Sequence, residues 1–140
     1  MWPATLPPNL KSKAEGKIFG RLQSQLDAEW TVLHSLGLTG HVRKPWAEID
    51  FVVIGPLGLF CLEVKGGRIR RDVGQWIFTD GDGRDHLRNE GPFEQVGGAS
   101  AALHKHLAAH GRRDVAVHYA VVTPDVRFHI HGPEIGRAHV

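Results

Sequence analysis

The sequence predicts one α/β domain in which a mixed sheet is flanked by helices. Three observations favour this fold class: an amphipathic helical stripe near the N-terminus, two short apolar runs joined by a glycine-containing turn, and a second helical stripe followed by another apolar run. The chain has 140 residues, 41% hydrophobic and 23% charged, a composition typical of a globular domain. A chain of this length can bury about two thirds of its unfolded surface, so its core requires neither a metal nor a disulfide.

The N-terminal part predicts a leader and then a long helix. Prolines at positions 3, 7 and 8 favour an irregular leader over residues 1–12. A helix is predicted from about residue 13 to about residue 35, because apolar residues recur at three- and four-residue spacing and Gly37 can end it. The stripe consists of Ile18, Phe19, Leu22, Leu26, Trp30 and Leu33. Glu15 lies at the start of this stripe, an unusual place for a carboxylate that has no partner.

The two apolar runs, residues 49–54 and 59–65, predict a pair of antiparallel strands with their turn at residues 55–58. Each run carries charge where a core strand should have none. Because side chains alternate between the faces of a strand, Glu63 and Lys65 project from one face beside Cys61. Asp50 can meet them across the hairpin, so the spacing Asp-x(12)-Glu-x-Lys predicts one cluster of charged groups.

The remaining elements complete the order helix, strand, strand, strand, helix, strand. A third strand is predicted at residues 75–79, followed by a polar loop. Pro92 suits the first position of a second helix that reaches residue 109 or 110, with Gly111 just past its end. The stripe of this helix consists of Val96, Ala99, Leu103 and Leu107. The near-continuous apolar run at residues 115–122 predicts a last strand buried on both faces, as in the middle of a sheet.

The charged cluster has the composition of a magnesium site. Two converging carboxylates repel each other and are costly to remove from water, and a divalent cation offsets both effects. Mg²⁺ is usually held by one or two carboxylates together with phosphate oxygens, which suits Asp50 and Glu63, with the backbone carbonyl of Val64 as a further ligand and Mn²⁺ as a substitute. Lys65 can hold a water or offset charge that develops on a phosphate. The pattern therefore predicts metal-assisted hydrolysis of a phosphodiester.

Two further residues are candidates for this site. Glu15 can complete it through a water molecule, and Gln95, in the first turn of the second helix, can orient substrate or water because its amide both donates and accepts. The alternative is structural. Glu63 and Lys65 would then form an ordinary same-face pair, and Glu15 and Gln95 would belong to helix surfaces.

Overall charge does not by itself indicate a nucleic-acid partner. The formal net charge is +2 and the sequence pI is about 8.9, which is mild for a nucleic-acid-binding protein. Positive charge does collect after Lys65, where Arg68, Arg70 and Arg71 are candidates for contacts with nucleic-acid phosphates. A solvated loop surface is the alternative for these arginines.

Two other chemistries are weakly indicated. The chain has ten histidines, and His106 and His110, one helical turn apart, could share a zinc ion, but they lack a third ligand in a recognisable pattern. The other histidines of this interpretation are His104, His129 and His131. Cys61 lies on an apolar strand, which predicts that its thiol is an inert part of the core rather than a nucleophile.

The single cysteine and the N-terminus predict a cytoplasmic protein without a membrane partner. One cysteine cannot form an internal disulfide, and the first residues lack the basic-then-apolar pattern of a secretory signal.

Residues 134–140 resemble the translation of a sequencing-adapter stretch. We therefore expect a domain over residues 13–133, cut short at its C-terminus, and a non-native tail after it.

The combination of these motifs resembles the nuclease-related (NERD) domain. It consists of Glu15 in an opening helix, the stretch 48–66 that carries the charged hairpin, then Trp76, then residues 92–95, and it extends over residues 13–128. This family is placed with the PD-(D/E)XK nucleases, alongside restriction endonucleases and archaeal Holliday-junction resolvases. The resemblance implies a restriction-endonuclease-like αβββαβ core. The stretch 89–92, Asn-Glu-Gly-Pro, departs from the family's usual Asn-Pro lead-in before Gln95.

The resemblance also implies roles for particular residues. Glu15 would be the helix-borne acid, Asp50 and Glu63 the metal ligands, Lys65 the catalytic lysine and Gln95 the accessory polar residue. The expected function is a Mg²⁺-dependent nuclease that acts on DNA in its processing or repair. A non-catalytic nucleic-acid-binding or regulatory module that keeps the fold is the alternative, and a homodimer or a fusion to further domains stays open.

Overall fold

The computed structural model describes residues 1–8, 10 and 12–126, and the predicted tail at 134–140 lies outside this part of the chain. The elements of the described residues follow one another as α1 (Lys13–Gln25), β1 (Thr31–Leu38), β2 (Ala47–Gly55), β3 (Gly58–Val64), β4 (Arg68–Asp72), β5 (Gln75–Thr79), β6 (Asp85–Arg88), α2 (Pro92–Ala109) and β7 (Val117–Val122).

A mixed four-stranded sheet in the order β1-β2-β3-β7 is the centre of the fold. β1, β2 and β3 pair antiparallel, and β7 runs parallel to β3. One face packs against α1 through a cluster that contains Phe19, Phe51 and Leu62. The other packs against α2 through a cluster that contains Cys61 and Val96. The predicted fold class, a mixed sheet flanked by helices, is confirmed.

The first helix is shorter than predicted. Ser12 caps α1 by accepting hydrogen bonds from the backbone N–H groups of Ala14 and Glu15. The helix ends at Gln25, and Leu26 is already extended. The prediction of helix up to residue 35 was wrong because residues 31–38 form β1, which pairs along its length with β2. Trp30 and Leu33 continue the helical spacing of apolar residues by coincidence, and tertiary pairing overrides that local pattern.

A second, smaller sheet contains the third predicted strand. β5 has the predicted bounds, but it pairs with β4 and β6 in an antiparallel sheet of three strands. Among the described residues, no pairing joins it to the central sheet. The three central strands that precede α2 are therefore β1, β2 and β3. β4 and β6 were not predicted, because they are short, polar and exposed.

The C-terminal half matches the prediction in its helix and differs in its last strand. α2 has the predicted bounds, and Gly111 follows it with a φ of 76°. β7 begins at Val117 and leaves His118 and Tyr119 exposed, so the predicted burial on both faces was wrong. The physical reason is its position: within residues 12–126, β7 pairs only with β3, as the last strand of its sheet. Neither α1 nor α2, the helices of the described residues, is long and apolar enough to cross a membrane.

Candidate active site

The predicted catalytic and metal-binding residues line one cleft of about 400 Å³. The cleft lies where the start of α1, the ends of the central strands, the first turn of α2 and the second sheet meet. The residues that the sequence singled out and that line it are Glu15, Asp50, Glu63, Val64, Lys65 and Gln95. The structure thus brings together groups that are up to 80 positions apart in the sequence.

Asp50 is held at the end of the central hairpin. Phe51 packs in the cluster under α1, and its neighbour Val52 packs in the cluster under α2. Ile49, two residues before Phe51, would share the face of Phe51 in a regular strand, but it packs in the cluster under α2. The alternation of side chains along β2 is therefore interrupted at Asp50, and Ser35, at the same level of β1, has a φ of 61°. The backbone N–H of Val64 donates a hydrogen bond to Asp50 Oδ2 at 2.7 Å.

Burial makes the negative charge of Asp50 costly. It raises the pKa of this carboxyl to about 7, with the negative charge of Glu63 as the next cause, while the hydrogen bond from Val64 acts in the opposite direction. A carboxyl of this kind is neutral over a wide pH range unless a cation stabilises its charged form.

Glu63, Lys65 and Gln95 form a connected group on the α2 side of β3. Glu63 is buried, with 3% of its surface exposed, and its Oε1 lies 2.6 Å from Lys65 Nζ. The same ammonium donates to Gln95 Oε1 at 3.0 Å and lies 5.6 Å from the ring centroid of Phe78. Burial raises the pKa of Glu63, and the charge of Lys65 opposes that effect. Lys65 thus offsets the charge of Glu63 at the place where a metal cation would.

Glu15 has a buried partner that the sequence did not indicate. Its Oε2 lies 3.1 Å from His34 Nε2. The His34 ring stacks on Phe51 at 4.7 Å between centroids and meets Phe19 edge-on at 5.7 Å. The interaction joins residues 19 positions apart, and the predicted helix placed His34 on the wrong element. Only the pairing of β1 with β2, which is a tertiary feature, indicates it.

Other cleft residues were also missed. Glu48, Phe78, Asp80 and His86 line the cleft, and His86 Nε2 lies 2.8 Å from Asp80 Oδ2. Asp80 lies in the polar loop that is predicted after the third strand, and nothing in that loop predicted a place in the site. The strand β6, which brings His86 to the cleft, lacks the apolar alternation that would have predicted it.

The predicted nucleic-acid-binding arginines lie outside the cleft, on β4. Arg70 pairs with Asp85 Oδ2 at 2.5 Å and donates to Thr79 Oγ1 at 3.1 Å. Arg71 lies 5.5 Å from the Trp76 ring, and Arg68 is exposed. Their binding of nucleic acid stays a prediction.

The donor set of the cleft fits Mg²⁺. Asp50 and Glu63 supply hard oxygen atoms, and both carboxyls have pKa values raised by burial, a cost that a divalent cation would offset. No group of three or more His, Cys, Asp or Glu side chains within the described ranges is arranged to hold a metal ion. Two carboxylates nevertheless suffice for Mg²⁺, which usually completes its coordination with water and substrate oxygens.

Within the residues that the structure describes, the zinc interpretation gains no third ligand. The rings of His106 and His110 lie 4.5 Å apart, and His110 Nδ1 lies 2.9 Å from the backbone oxygen of His106. His104 is also on α2 but joins no metal-binding group in the part of the chain that the structure describes. His129 and His131 lie outside the described residues.

A mixed α/β core with two carboxylates and a lysine at the end of its central hairpin defines a restriction-endonuclease-like domain. The family model of the nuclease-related domain, NERD, matches residues 10–124, and the chain belongs to this family. The resemblance inferred from the charged hairpin and its flanking elements is thereby confirmed. Searches of the curated proteins and of the solved structures gave no significant match.

Proposed function

We propose that this domain is a metal-dependent nuclease that hydrolyses DNA phosphodiester bonds, with Mg²⁺ or Mn²⁺ as its cofactor and a role in DNA processing or repair. The observation that carries the proposal is the convergence of Asp50, Glu63 and Lys65 in one cleft. Membership of the nuclease-related family supports it. A phosphodiester fits the cleft chemically because its hydrolysis requires a held anion, an aligned water and stabilisation of an added negative charge.

Asp50 and Glu63 would hold the cation, with the carbonyl of Val64 as a further oxygen ligand. The bound metal would supply charge stabilisation at the phosphoryl oxygens. Glu63 is paired with Lys65 in the structure. With Glu63 holding a cation, the Lys65 ammonium would be available to the scissile phosphate, and Gln95, which accepts a hydrogen bond from Lys65, would keep it at the cleft.

Glu15 and Gln95 would position the attacking water. His34 holds Oε2 of Glu15, which fixes the carboxylate and leaves Oε1 to accept a hydrogen bond from water. The amide nitrogen of Gln95 can donate to substrate or water while its oxygen contacts Lys65. In this arrangement Lys65 stabilises the extra negative charge on the phosphate as the new bond forms.

A non-catalytic nucleic-acid-binding module is the second candidate. One observation favours it: the carboxylates of the cleft already have protein partners, Val64 for Asp50, Lys65 for Glu63 and His34 for Glu15. A module of this kind would bind DNA without a metal, and Lys65→Ala would leave that binding unchanged.

A cleavage panel separates the two candidates. Purified protein is incubated with single-stranded, duplex and branched DNA, and with RNA, in Mg²⁺, Mn²⁺ or EDTA. We expect cleavage that requires the metal and falls by at least about 100-fold in Asp50→Asn and Lys65→Met. The matched control is Asp82→Asn, which changes an exposed carboxylate in the loop between β5 and β6. The absence of cleavage of any substrate, or equal cleavage by Asp50→Asn and wild type, would contradict the proposal.

A further inference from the structure

The second sheet contributes a histidine and an aspartate to the cleft. His86 on β6 and Phe78 on β5 are direct cross-strand partners, so their side chains share one face of this sheet. Both line the cleft, together with Asp80, which follows β5 directly. The ring centroid of Phe78 lies 5.6 Å from the Lys65 ammonium. His86 is therefore the neighbour of a residue that contacts the lysine of the proposed centre.

Asp80 is fixed in the turn that joins β5 to β6. Its Oδ1 accepts hydrogen bonds from the backbone N–H groups of Asp82 and Arg84, each at 2.9 Å, and its Oδ2 lies 2.8 Å from His86 Nε2. These bonds lower the pKa of the Asp80 carboxyl, with the one to His86 as the largest cause, so the carboxylate is charged at neutral pH. A carboxylate that accepts from one ring nitrogen orients the imidazole and leaves the other nitrogen, here Nδ1, to act on a ligand.

The spacing between Lys65 and His86 suits one phosphate group. The Cβ atoms of direct cross-strand partners are about 5 Å apart, so the imidazole lies on the order of 10 Å from the ammonium beyond Phe78. A phosphate that accepts a hydrogen bond of about 2.9 Å from each side spans about 8 Å. About half of the His86 side chain, 51%, is exposed. The ammonium and the imidazole can therefore contact different oxygens of the same phosphate.

The chemistry proposed for the cleft still requires a proton for the leaving oxygen. An alcohol, like water with its pKa of about 15.7, holds its proton tightly, so an alkoxide is a poor leaving group. The carboxylates and Lys65 are already assigned to the cation, the attacking water and the charge on the phosphate. Histidine is the side chain that most often transfers protons in enzymes, and among the described residues that line the cleft His86 is the histidine.

We infer that His86 donates a proton to the leaving oxygen of the scissile phosphodiester and that Asp80 is its positioning residue. This inference rests on the proposed function and adds a proton donor to it. Water forms a new P–O bond while the P–O bond to the sugar breaks. The leaving oxygen takes the Nδ1 proton of the His86 imidazolium and departs as a hydroxyl, and the ring keeps its Nε2 proton toward Asp80. The proton that the water loses passes through the Glu15 carboxylate to solvent, and solvent reprotonates His86.

The test replaces the leaving oxygen by sulfur. Two end-labelled oligonucleotides each carry one linkage in which sulfur replaces the 3′ or the 5′ bridging oxygen, and the ends of the wild-type products show which sulfur is in the leaving position. A thiol has a pKa of about 8.5, so a thiolate leaves without a proton from the enzyme. Each variant is compared with the wild type on the same linkage and metal, so that the effect of sulfur on the metal cancels in the ratio.

The variants are His86→Gln and Asp80→Asn. Asp80→Asn keeps an oxygen for the N–H groups of the turn, but it presents an amide N–H to His86, so the ring can no longer donate from both nitrogens. The matched controls are His104→Gln, exposed on α2, and Asp82→Asn, exposed in the turn. Thermal unfolding checks that each variant is folded.

We expect His86→Gln to cleave the oxygen linkage at least about 100-fold more slowly than the wild type, and the sulfur linkage less than about threefold more slowly. Asp80→Asn should be slower by about tenfold to 100-fold on oxygen and nearly unchanged on sulfur. Equal slowing of both linkages, a sulfur linkage that the wild type leaves uncut, or equal rates for His86→Gln and His104→Gln would overturn the inference and leave the nuclease proposal standing. If the wild type cuts no DNA in Mg²⁺ or Mn²⁺, the proposed function fails and the inference fails with it.

Discussion

Replacing Asp50 by asparagine should stabilise the metal-free protein at high pH. Burial and Glu63 raise the pKa of Asp50 from 3.8 to about 7, so the folded protein binds this proton more tightly than the unfolded chain does. The free energy of unfolding therefore falls as the pH rises from about 4 to about 7, and above that range this carboxyl contributes a constant penalty. Asparagine removes the penalty and can still accept the hydrogen bond from Val64.

The size of the effect follows from the difference between the two pKa values. The penalty is at most about 4 kcal/mol at pH 8 and about 2 kcal/mol at pH 5. Because Asp50 is only partly buried, we expect Asp50→Asn to gain about 1–3 kcal/mol at pH 8 and less than half of that at pH 5.

The assay is urea denaturation in EDTA at both pH values, followed by tryptophan fluorescence. Asp82→Asn is the control for removing one negative charge from the surface. Adding Mg²⁺ at about 100 times its dissociation constant should stabilise the wild type by about 2.7 kcal/mol and Asp50→Asn by much less. The reasoning is refuted if Asp50→Asn and the wild type lose equal stability between pH 5 and pH 8.

Three further outcomes are expected. His34→Phe should keep the aromatic stack but leave Glu15 buried without its partner, so chemical denaturation should show a loss of about 1–3 kcal/mol; unchanged stability would contradict the role of His34. Burial raises the pKa of the Cys61 thiol to about 11. A disulfide reagent at pH 8 should therefore modify the folded protein at least about 100-fold more slowly than the urea-unfolded chain. Equal rates would show that the thiol is accessible in the folded protein. Gly67→Ala places a Cβ 2.2 Å from a backbone oxygen at a φ of 71°, so it should lower the free energy of unfolding by about 2–4 kcal/mol. Gly74→Ala, at a φ of 77° but in open space, should lower it by about 1 kcal/mol. Similar losses of stability in the two variants would contradict the close contact at Gly67.

Elements whose signals are local could be predicted from the sequence. α2 has a proline at its first position, an apolar stripe and a glycine just past its end, and the prediction of its bounds is confirmed. The central hairpin could also be predicted, because its turn and the alternation of its side chains are both encoded within about 20 residues. The spacing of Asp50, Glu63 and Lys65 within that hairpin predicted their convergence, which the structure contains.

Features that depend on tertiary pairing could not be predicted. β1 continues the apolar spacing of α1, and only its pairing with β2 decides that it is a strand. The contact of His34 with Glu15 depends on that same pairing. The place of His86 in the cleft required the register of the second sheet, because a polar run such as Asp85-His86 does not reveal which side chain faces the cleft.

The central claim is that Asp50, Glu63 and Lys65 form a metal-dependent phosphodiesterase centre. The most direct test compares the rates at which the wild type and the Glu63→Gln variant cleave one end-labelled DNA. Glu63 is suited to this measurement because it is the most buried carboxylate of the cleft. We predict cleavage by the wild type in Mg²⁺ that EDTA abolishes, and a rate at least about 100-fold lower in a folded Glu63→Gln variant. Equal rates for the two proteins, or wild-type cleavage that persists in EDTA, would contradict the claim.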